Sequence, residues 1–278
     1  MKQNRKFALS TIALLIQSVV AMQANAEARE ISVDKTTDYI GLITNDEEQV
    51  WTDDSIIVNK YIQPYWEKNK PHRKLGVVTT GKGDNGNLEV NGFYGILSYA
   101  DRGLEYKPEL YIKSNNDITF NNNFQSVYIQ PHSNSVNLEA KGKIDFNLNL
   151  LEKALDSNKQ EYLVNDKSLV KYLNYTTDGT KGSLSLTSKL GNHLNLNAKI
   201  HKGIHHSGIV NYLNTNVNLT AAEGDNVISL NGQLMDNITD SNNFTSSSYL
   251  SGIETAFKSH TNLTGENNRI SITTKGGG

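Results

Sequence analysis

The sequence predicts an all-β fold in which short strands stack as the coils of a parallel β-solenoid. Three observations carry that prediction. The first is an internal repeat: Ser207-Gly208-Ile209, Asn218-Leu219-Thr220, the stretch Asp225 to Leu230 and Gly232 are matched by Ser251-Gly252-Ile253, Asn262-Leu263-Thr264, Asn267 to Ile272 and Gly276. Gly208 and Gly252 lie 44 residues apart, as do Leu219 and Leu263, and Ile228 and Ile270 lie 42 apart. Repetition of a whole strand–turn–strand unit outranks any single-residue motif in assigning a fold. The second is a weaker echo upstream, where Ile144-Asp145-Phe146 follows Ile118-Thr119-Phe120 by 26 residues. A basic coil of roughly 20–25 residues with tolerated insertions accounts for both intervals. The third is period-two alternation in segments such as Ser183-Leu184-Ser185-Leu186 and Asn195-Leu196-Asn197. Alternation puts aliphatic side chains on one face and Asn or Ser on the other.

Strands of three to five residues cannot each bury much alone, but stacked they form a continuous apolar column while their backbones pair above and below. About one residue in eight is Asn, which tolerates left-handed corners and can form side-chain ladders between equivalent positions. A β-sandwich with polar loops is the competing all-β reading. It does not require turns to recur with their strands, as they do here.

Residues 1–26 read as a cleavable signal peptide. Lys2, Arg5 and Lys6 precede an apolar run from Phe7 to Met22, and Ala24-Asn25-Ala26 offers small residues before a cut at Glu27. The run is shorter than the ~20 apolar residues of a membrane span. Its removal takes the formal net charge from −2 to −5, since it carries three basic and no acidic side chains. That balance disfavours nucleic acid as a partner. With no cysteine in the chain, burial and hydrogen-bond ladders must hold the exported fold.

Residues 27–90 lack the clear repeat and read as an N-terminal cap, with Tyr39 to Ile43 as a first strand. The basic, aromatic stretch Tyr61 to Lys74 could be a ligand platform, but a solvated loop over the end of the column is favoured, since an open solenoid end would pair with other chains. Residues 91–278 read as β-helix repeats with an insertion near 148–180, where Glu152, Lys153, Asp156, Lys159 and Glu161 interrupt the strand pattern. Lys275-Gly276-Gly277-Gly278 stops in mid-pattern, as a truncated C-terminus would.

No motif in the chain commits to chemistry. Gly76-Val77-Val78-Thr79-Thr80-Gly81-Lys82 has phosphate-loop spacing, but Gly83 stands where Ser or Thr should ligate Mg²⁺. His201, His205 and His206 form the densest imidazole cluster; Gly203 and Gly208 point to turns and strands, and a surface loop is favoured over a zinc site. Asp46-Glu47-Glu48 and Asp53-Asp54 could bind Ca²⁺ or transfer protons only if they converged on a groove. Ser168-Leu169-Val170-Lys171 has S-x-x-K spacing without companions, and Asn-x-Thr triplets at Asn174, Asn218, Asn237, Asn243 and Asn262 arise by chance in such a composition. The repeat strands carry few acids, Asp117, Asp145 and Asp225, and none is expected in register with another. No catalytic, cofactor or metal residue is assigned.

The leader Met1 to Ala26 and the coils around Asn115–Phe120, Ser135–Phe146, Ser207–Gly232 and Ser251–Gly276 resemble the passenger region of a bacterial autotransporter (type V secretion). The resemblance covers most of the chain and rests on pattern. It implies a right-handed parallel β-helix, exported to the cell surface or beyond in a bacterium with an outer membrane. It also implies an outer-membrane translocator barrel as partner. No series of ~10-residue amphipathic strands is present to form that barrel, so the chain reads as an N-terminal fragment. The function implied is structural or adhesive, by a monomer that binds host or neighbouring-cell proteins or glycans without catalysis. The alternative is a secreted polysaccharide-acting enzyme, which requires two or more carboxylates with a Lys or Arg on one face across successive coils.

Overall fold

The computed structural model describes residues 28–130, 134–150, 154–155, 161–162, 167–173, 181–200, 204–234 and 248–276. The leader, His201, Asn174, Asn237 and Asn243 fall outside them, as does most of the insertion near 148–180. The chain is all-β, with its strands in parallel sheets, the arrangement of a β-solenoid.

Successive coils each lay one strand on a first sheet and the next on a second. The first coil holds β1 (Arg29–Ser32) and β2 (Thr36–Ile40); the second holds β3 (Glu48–Asp53), β4 (Ile56–Ile62) and β5 (Tyr65–Trp66). The third holds β6 (Lys74–Thr79) and β7 (Leu88–Ala100), and the fourth β8 (Glu109–Ser114) and β9 (Ile118–Ile129). The fifth holds β10 (Ser135–Ala140) and β11 (Lys143–Leu150), then an antiparallel pair β12 (Ala154–Leu155) and β13 (Glu161–Tyr162), then β14 (Lys167–Leu173). The sixth holds β15 (Gly182–Ser188), β16 (Gly191–Ile200) and β17 (His205–Tyr212); the seventh holds β18 (Thr215–Ala221), β19 (Asp225–Leu234) and β20 (Tyr249–Ala256). The eighth holds β21 (His260–Thr264) and β22 (Asn268–Lys275).

The first sheet runs β1-β3-β6-β8-β10-β15-β18-β21, and the second runs β2-β4-β7-β9-β11-β16-β19-β22. A third row, in the order β5-β7-β9-β14-β17-β20, forms through the distal halves of β7 and β9. β7 and β9 therefore run 13 and 12 residues through a corner, longer than the short strands expected. The corner in β7 is made at Gly92, whose φ of +122° and approach to the Asn59 carbonyl leave no room for a side chain.

Interior side chains repeat in register. One row reads Trp51, Val77, Ile112, Leu138, Leu186, Leu219, Leu263; another reads Val58, Val90, Phe120, Phe146, Leu194, Ile228, Ile270. The predicted pairs Leu219/Leu263, Ile228/Ile270 and Ile118/Ile144 are thus true neighbours. The closing glycines are not, because Gly232 pairs with Thr274. Leu219 and Ile228 are fully buried, whereas their partners in the last coil are covered on one side only. Phe120 and Phe146 stack at 4.7 Å and 11°, an arrangement that adds ~0.5–1.5 kcal/mol to area burial. Tyr172 is buried beside Gly182, its hydroxyl donating to the Asn134 carbonyl at 2.6 Å, and a β-carbon on Gly182 would collide with that ring.

Asparagine ladders form as the composition suggested. On the outer surface Asn195 donates to Asn147, Asn147 to Asn121 and Asn121 to Asn91, at 3.1–3.2 Å. Asn231 and Asn197 continue a second ladder onto Asn149. A third ladder is interior: Asn192 donates to Asn226 and Asn226 to Asn268, each at 2.8 Å. Those residues continue the row that begins Ile56, Leu88, Ile118, Ile144. Asn226 also donates to the Thr264 carbonyl at 2.9 Å, tying the turn between the two sheets.

The two ends differ. Region 27–90 contributes β1 to β6 and the start of β7 to the stack, and Gly41–Thr44 leads from β2 towards β3. Interior Gln49 donates to the Gly41 carbonyl at 2.6 Å and accepts from the Ile43 and Thr44 amides, tying that segment to β3. At the other end Ile270 and Ile272 stay 48% and 47% exposed at interior positions.

Asn226→Ala removes a buried link that two neighbours share and should cost about 1–3 kcal/mol. Asn197→Ala, on the solvent-facing ladder, should cost less than about 1 kcal/mol. Urea midpoints for the two variants check the ranking, and equal losses would contradict it.

Candidate functional site

Alternation that sends one residue inward sends its neighbour out, and on the third row the outward residues are aromatic. Trp66 is fully buried, its indole Nε1 donating to Ser98 Oγ at 3.2 Å. Tyr65 is therefore turned outward and is 50% exposed. Tyr99, between buried Ser98 and Ala100, is its register partner, with ring centroids 6.4 Å apart. Tyr128 follows on the next coil, 6.5 Å from Tyr99. On the adjoining edge of the second sheet, Tyr39 meets its register partner Tyr61 edge-to-face at 5.4 Å. These rings form a lateral aromatic face over the first four coils.

Two of the hydroxyls are tied down. Tyr65 donates to Asp101 Oδ1 at 2.9 Å and Tyr39 to the Gln63 carbonyl at 3.0 Å. The bond to Asp101, with that carboxylate's charge, raises the Tyr65 phenol above its ordinary pKa. Burial raises Tyr39 and Tyr99. All three present protonated, uncharged hydroxyls at neutral pH. Apolar ring faces edged by fixed polar groups suit stacking against a ligand that is itself apolar on its face and polar on its rim.

A second constellation lies on the outer face of the second sheet. Thr119, Asp145, His193, Val227 and Arg269 occupy one row on successive coils. Asp145 Oδ1 lies 3.0 Å from His193 Nδ1, and both side chains are about one-third exposed. Asp117 Oδ1 accepts the Lys143 amide at 2.7 Å, and Lys143, Gly191 and Asp225 share a row. Asp117 and Asp225 therefore lie along the same line of turns, which the sequence did not reveal. Burial raises the Asp145 carboxyl above the ordinary range; His193 lowers it in part and the charge on Asp117 adds to the rise. A carboxylate-oriented imidazole can hold or pass a proton.

The motifs weighed from sequence are placed elsewhere. Gly76–Thr79 lies in β6, with Gly76 beneath the Tyr111 ring, and Thr79 Oγ1 donates to the Gly86 carbonyl at 2.6 Å, so no phosphate-binding loop forms. Asp53 accepts the Lys35 amide, Asp54 Oδ1 the Thr80 hydroxyl and Glu48 the Tyr111 hydroxyl. Glu47 pairs with Arg73 at 3.5 Å. These acids link coils and do not converge on a groove. His205 and His206 sit in strand β17 and not in a surface loop; His206 is buried, and His205 stacks on Tyr249 at 4.1 Å. Among the described residues no group of three or more His, Cys, Asp or Glu is placed to hold a metal ion. Ser168 and Lys171 are an odd number of positions apart in β14, so they face opposite ways. Asn218 and Asn262 form a ladder rung at 2.9 Å. Within Tyr61–Lys74, residues 67–73 form the exposed loop expected, apart from buried His72, whereas Tyr61–Ile62 end β4 and Tyr65–Trp66 form a short strand with Trp66 buried.

The tyrosine face was missed because its members lie 22 to 34 residues apart, at intervals that match no single repeat. Their signal was tyrosine recurring at polar positions of alternating segments.

Raising the Asp145 pKa means the folded state binds more protons than the unfolded state between the ordinary carboxyl range and the raised value. This side chain therefore subtracts stability as pH rises through that window. Asp145→Asn should gain melting temperature relative to the parent on going from pH 3 to pH 7. A variant that loses ground over that range would contradict the assignment. Comparison with family models, curated proteins and solved structures finds no match for this chain.

Proposed function

We propose that this protein is an exported, surface-displayed or secreted adhesive module of the autotransporter-passenger type. In this reading the coils wind as a right-handed parallel β-helix, the hand that parallel crossovers overwhelmingly take. The leader-like residues 1–26 direct export, and an outer-membrane translocator barrel is the partner that delivers the chain to the surface. Its work is recognition: a long, self-pairing stack holds a lateral face toward glycans or proteins on host or neighbouring cells.

The observation that carries this reading is the cluster of outward tyrosines, Tyr65 and Tyr99 in register with Tyr128 set diagonally beside Tyr99, flanked by Tyr39 and Tyr61. Large rings fixed by backbone pairing lose little freedom on binding, and Tyr is enriched among residues that anchor interfaces.

The Asp145–His193 pair favours a second reading, a polysaccharide-acting enzyme on the same scaffold. Its carboxylates and Lys143 lie on one face across successive coils, as that reading requires. Release of new reducing ends from a polysaccharide panel, abolished in His193→Asn, would establish it over the first.

For the adhesive reading, Tyr65→Ala with Tyr99→Ala should keep the strand circular dichroism of the parent. Binding to a printed array of bacterial and mammalian glycans and to immobilised cell-surface protein should fall by about tenfold or more, the scale of an interface anchor. Parental binding by the double variant would contradict the proposal.

A further inference from the structure

We propose that the outer face of the first sheet carries a saccharide site, in which the ring of Tyr111 is the floor for one uncharged hexopyranose residue. Tyr111 points outward between Leu110 and Ile112, both buried, and its register partner one coil down is Gly76. The ring lies flat on that glycine, where a β-carbon would sit 2.3 Å from Tyr111 Cζ. Glycine weakens a strand interior and marks a place where another group comes close to the backbone. The Tyr111 hydroxyl donates to Glu48 Oε1 at 2.7 Å, two coils below its own strand, which pins the ring in that position. Burial, with the bond to Glu48, raises the phenol above its ordinary range, so the ring stays uncharged. One ring face is covered by the backbone. The other faces outward, with Lys113 Nζ 5.8 Å from the ring centroid.

The rim of this floor selects the ligand. Glu109 and Lys113 flank Tyr111 two residues away on either side of β8, and alternation points both outward with it. Each is answered by its register partner on a neighbouring coil: Lys74 Nζ lies 3.9 Å from Glu109 Oε2, and Lys113 Nζ lies 3.8 Å from Glu139 Oε2. Asn137, next above Tyr111 in its row, donates to Glu109 Oε1 at 3.3 Å. Both edges of the ring therefore offer a donor and an acceptor, and each edge is neutral in sum. An anion is matched by donors alone and a cation by acceptors alone, whereas a hydroxyl both gives and takes a hydrogen bond. A pyranose carries such hydroxyls around its rim and presents C–H groups on its face, the complement of an aromatic floor with polar edges. Val50, beyond Gly76 in the same row, and Val78, two residues along β6, are half-buried and widen the floor. From the fifth coil upward the row turns polar, through Asn137, Ser185, Asn218 and Asn262, so the apolar patch is confined to coils two to four. The site lies on a different sheet from the tyrosine cluster of the third row and stands whatever that cluster binds.

Saturation-transfer NMR with the methyl glycosides of glucose, galactose and mannose reads the site directly. At least one of the three should receive saturation from the parent and from the Tyr65→Ala, Tyr99→Ala variant, in which the third-row cluster is silenced. Methyl glucuronide and glucosamine, at the same concentration, should receive less. Adding Tyr111→Ala to that variant removes the floor and should cut the transfer about tenfold or more. Gly76→Ala keeps the tyrosine but pushes its ring off the sheet; the clash falls on a side-chain tip that can move aside, so the strand is spared and the transfer should again be lost. Strand circular dichroism of each variant checks the fold. A parent that transfers to none of the three neutral sugars overturns the proposal, as does transfer unchanged by Tyr111→Ala or by Gly76→Ala. Stronger transfer to the glucuronide or to glucosamine overturns the neutral assignment. Complete loss in the Tyr65→Ala, Tyr99→Ala variant also overturns it, and leaves the adhesive reading of the third row intact.

Discussion

Parallel pairing in register is the constraint on which everything else here depends. When a strand lies on its predecessor with equivalent residues aligned, each interior position sees its own counterpart one coil away. Leucine then meets leucine or isoleucine, Phe120 meets Phe146, and a polar residue is tolerated inside only if its neighbour can answer it. The Asn192–Asn226–Asn268 ladder, buried at its first two members, shows the rule at its limit. A single asparagine there would strand a polar amide; in succession the Asn192 and Asn226 amides donate along the ladder and to turn carbonyls, and only the Asn192 amide oxygen is left without a partner.

The same constraint explains which features could be read in advance. Leu219 with Leu263 and Ile118 with Ile144 were legible because strand, turn and strand recur together in the late coils and in the fourth and fifth. The Asn ladders were legible from composition and alternation. Coil length was not: the interval between paired residues runs from 20 (Arg29 to Gln49) to 48 (Ser135 to Ser183). Turns can lengthen freely because they leave the stack and return to it, so a search for one period misses the early coils. For that reason region 27–90 looked unlike the rest, although its strands share the same sheets. Trp66 and the tyrosines beside it illustrate the cost. In sequence they form a basic, aromatic stretch; in the fold, alternation sends the indole inward and Tyr65 outward.

Two outward faces carry the chemistry, and they differ in kind. The tyrosine cluster is aromatic, with the Tyr65 hydroxyl held by Asp101, and lies on the third row of strands. The Asp145–His193 pair lies on a flat polar face beside an asparagine ladder. Both are collected from successive coils at intervals that only the folded register supplies, so neither has a local motif. A solenoid makes such collection simple, since any outward position can be repeated, varied or charged without disturbing the column inside. Candidate sites chosen for local spacing, such as Gly76–Lys82 and Ser168–Lys171, were dispersed by the same geometry.

The central claim is the register itself, and the cysteine-free chain offers a clean background for testing it. Cysteines introduced together at Asn218 and Asn262, partners on adjacent coils at 44 residues' separation, should form an intramolecular disulfide under mild oxidation. A control pair at Asn218 and Leu263, offset by one and facing opposite ways, should not. Equal cross-linking of the two pairs, or none at Asn218 and Asn262, would contradict the stacked parallel register.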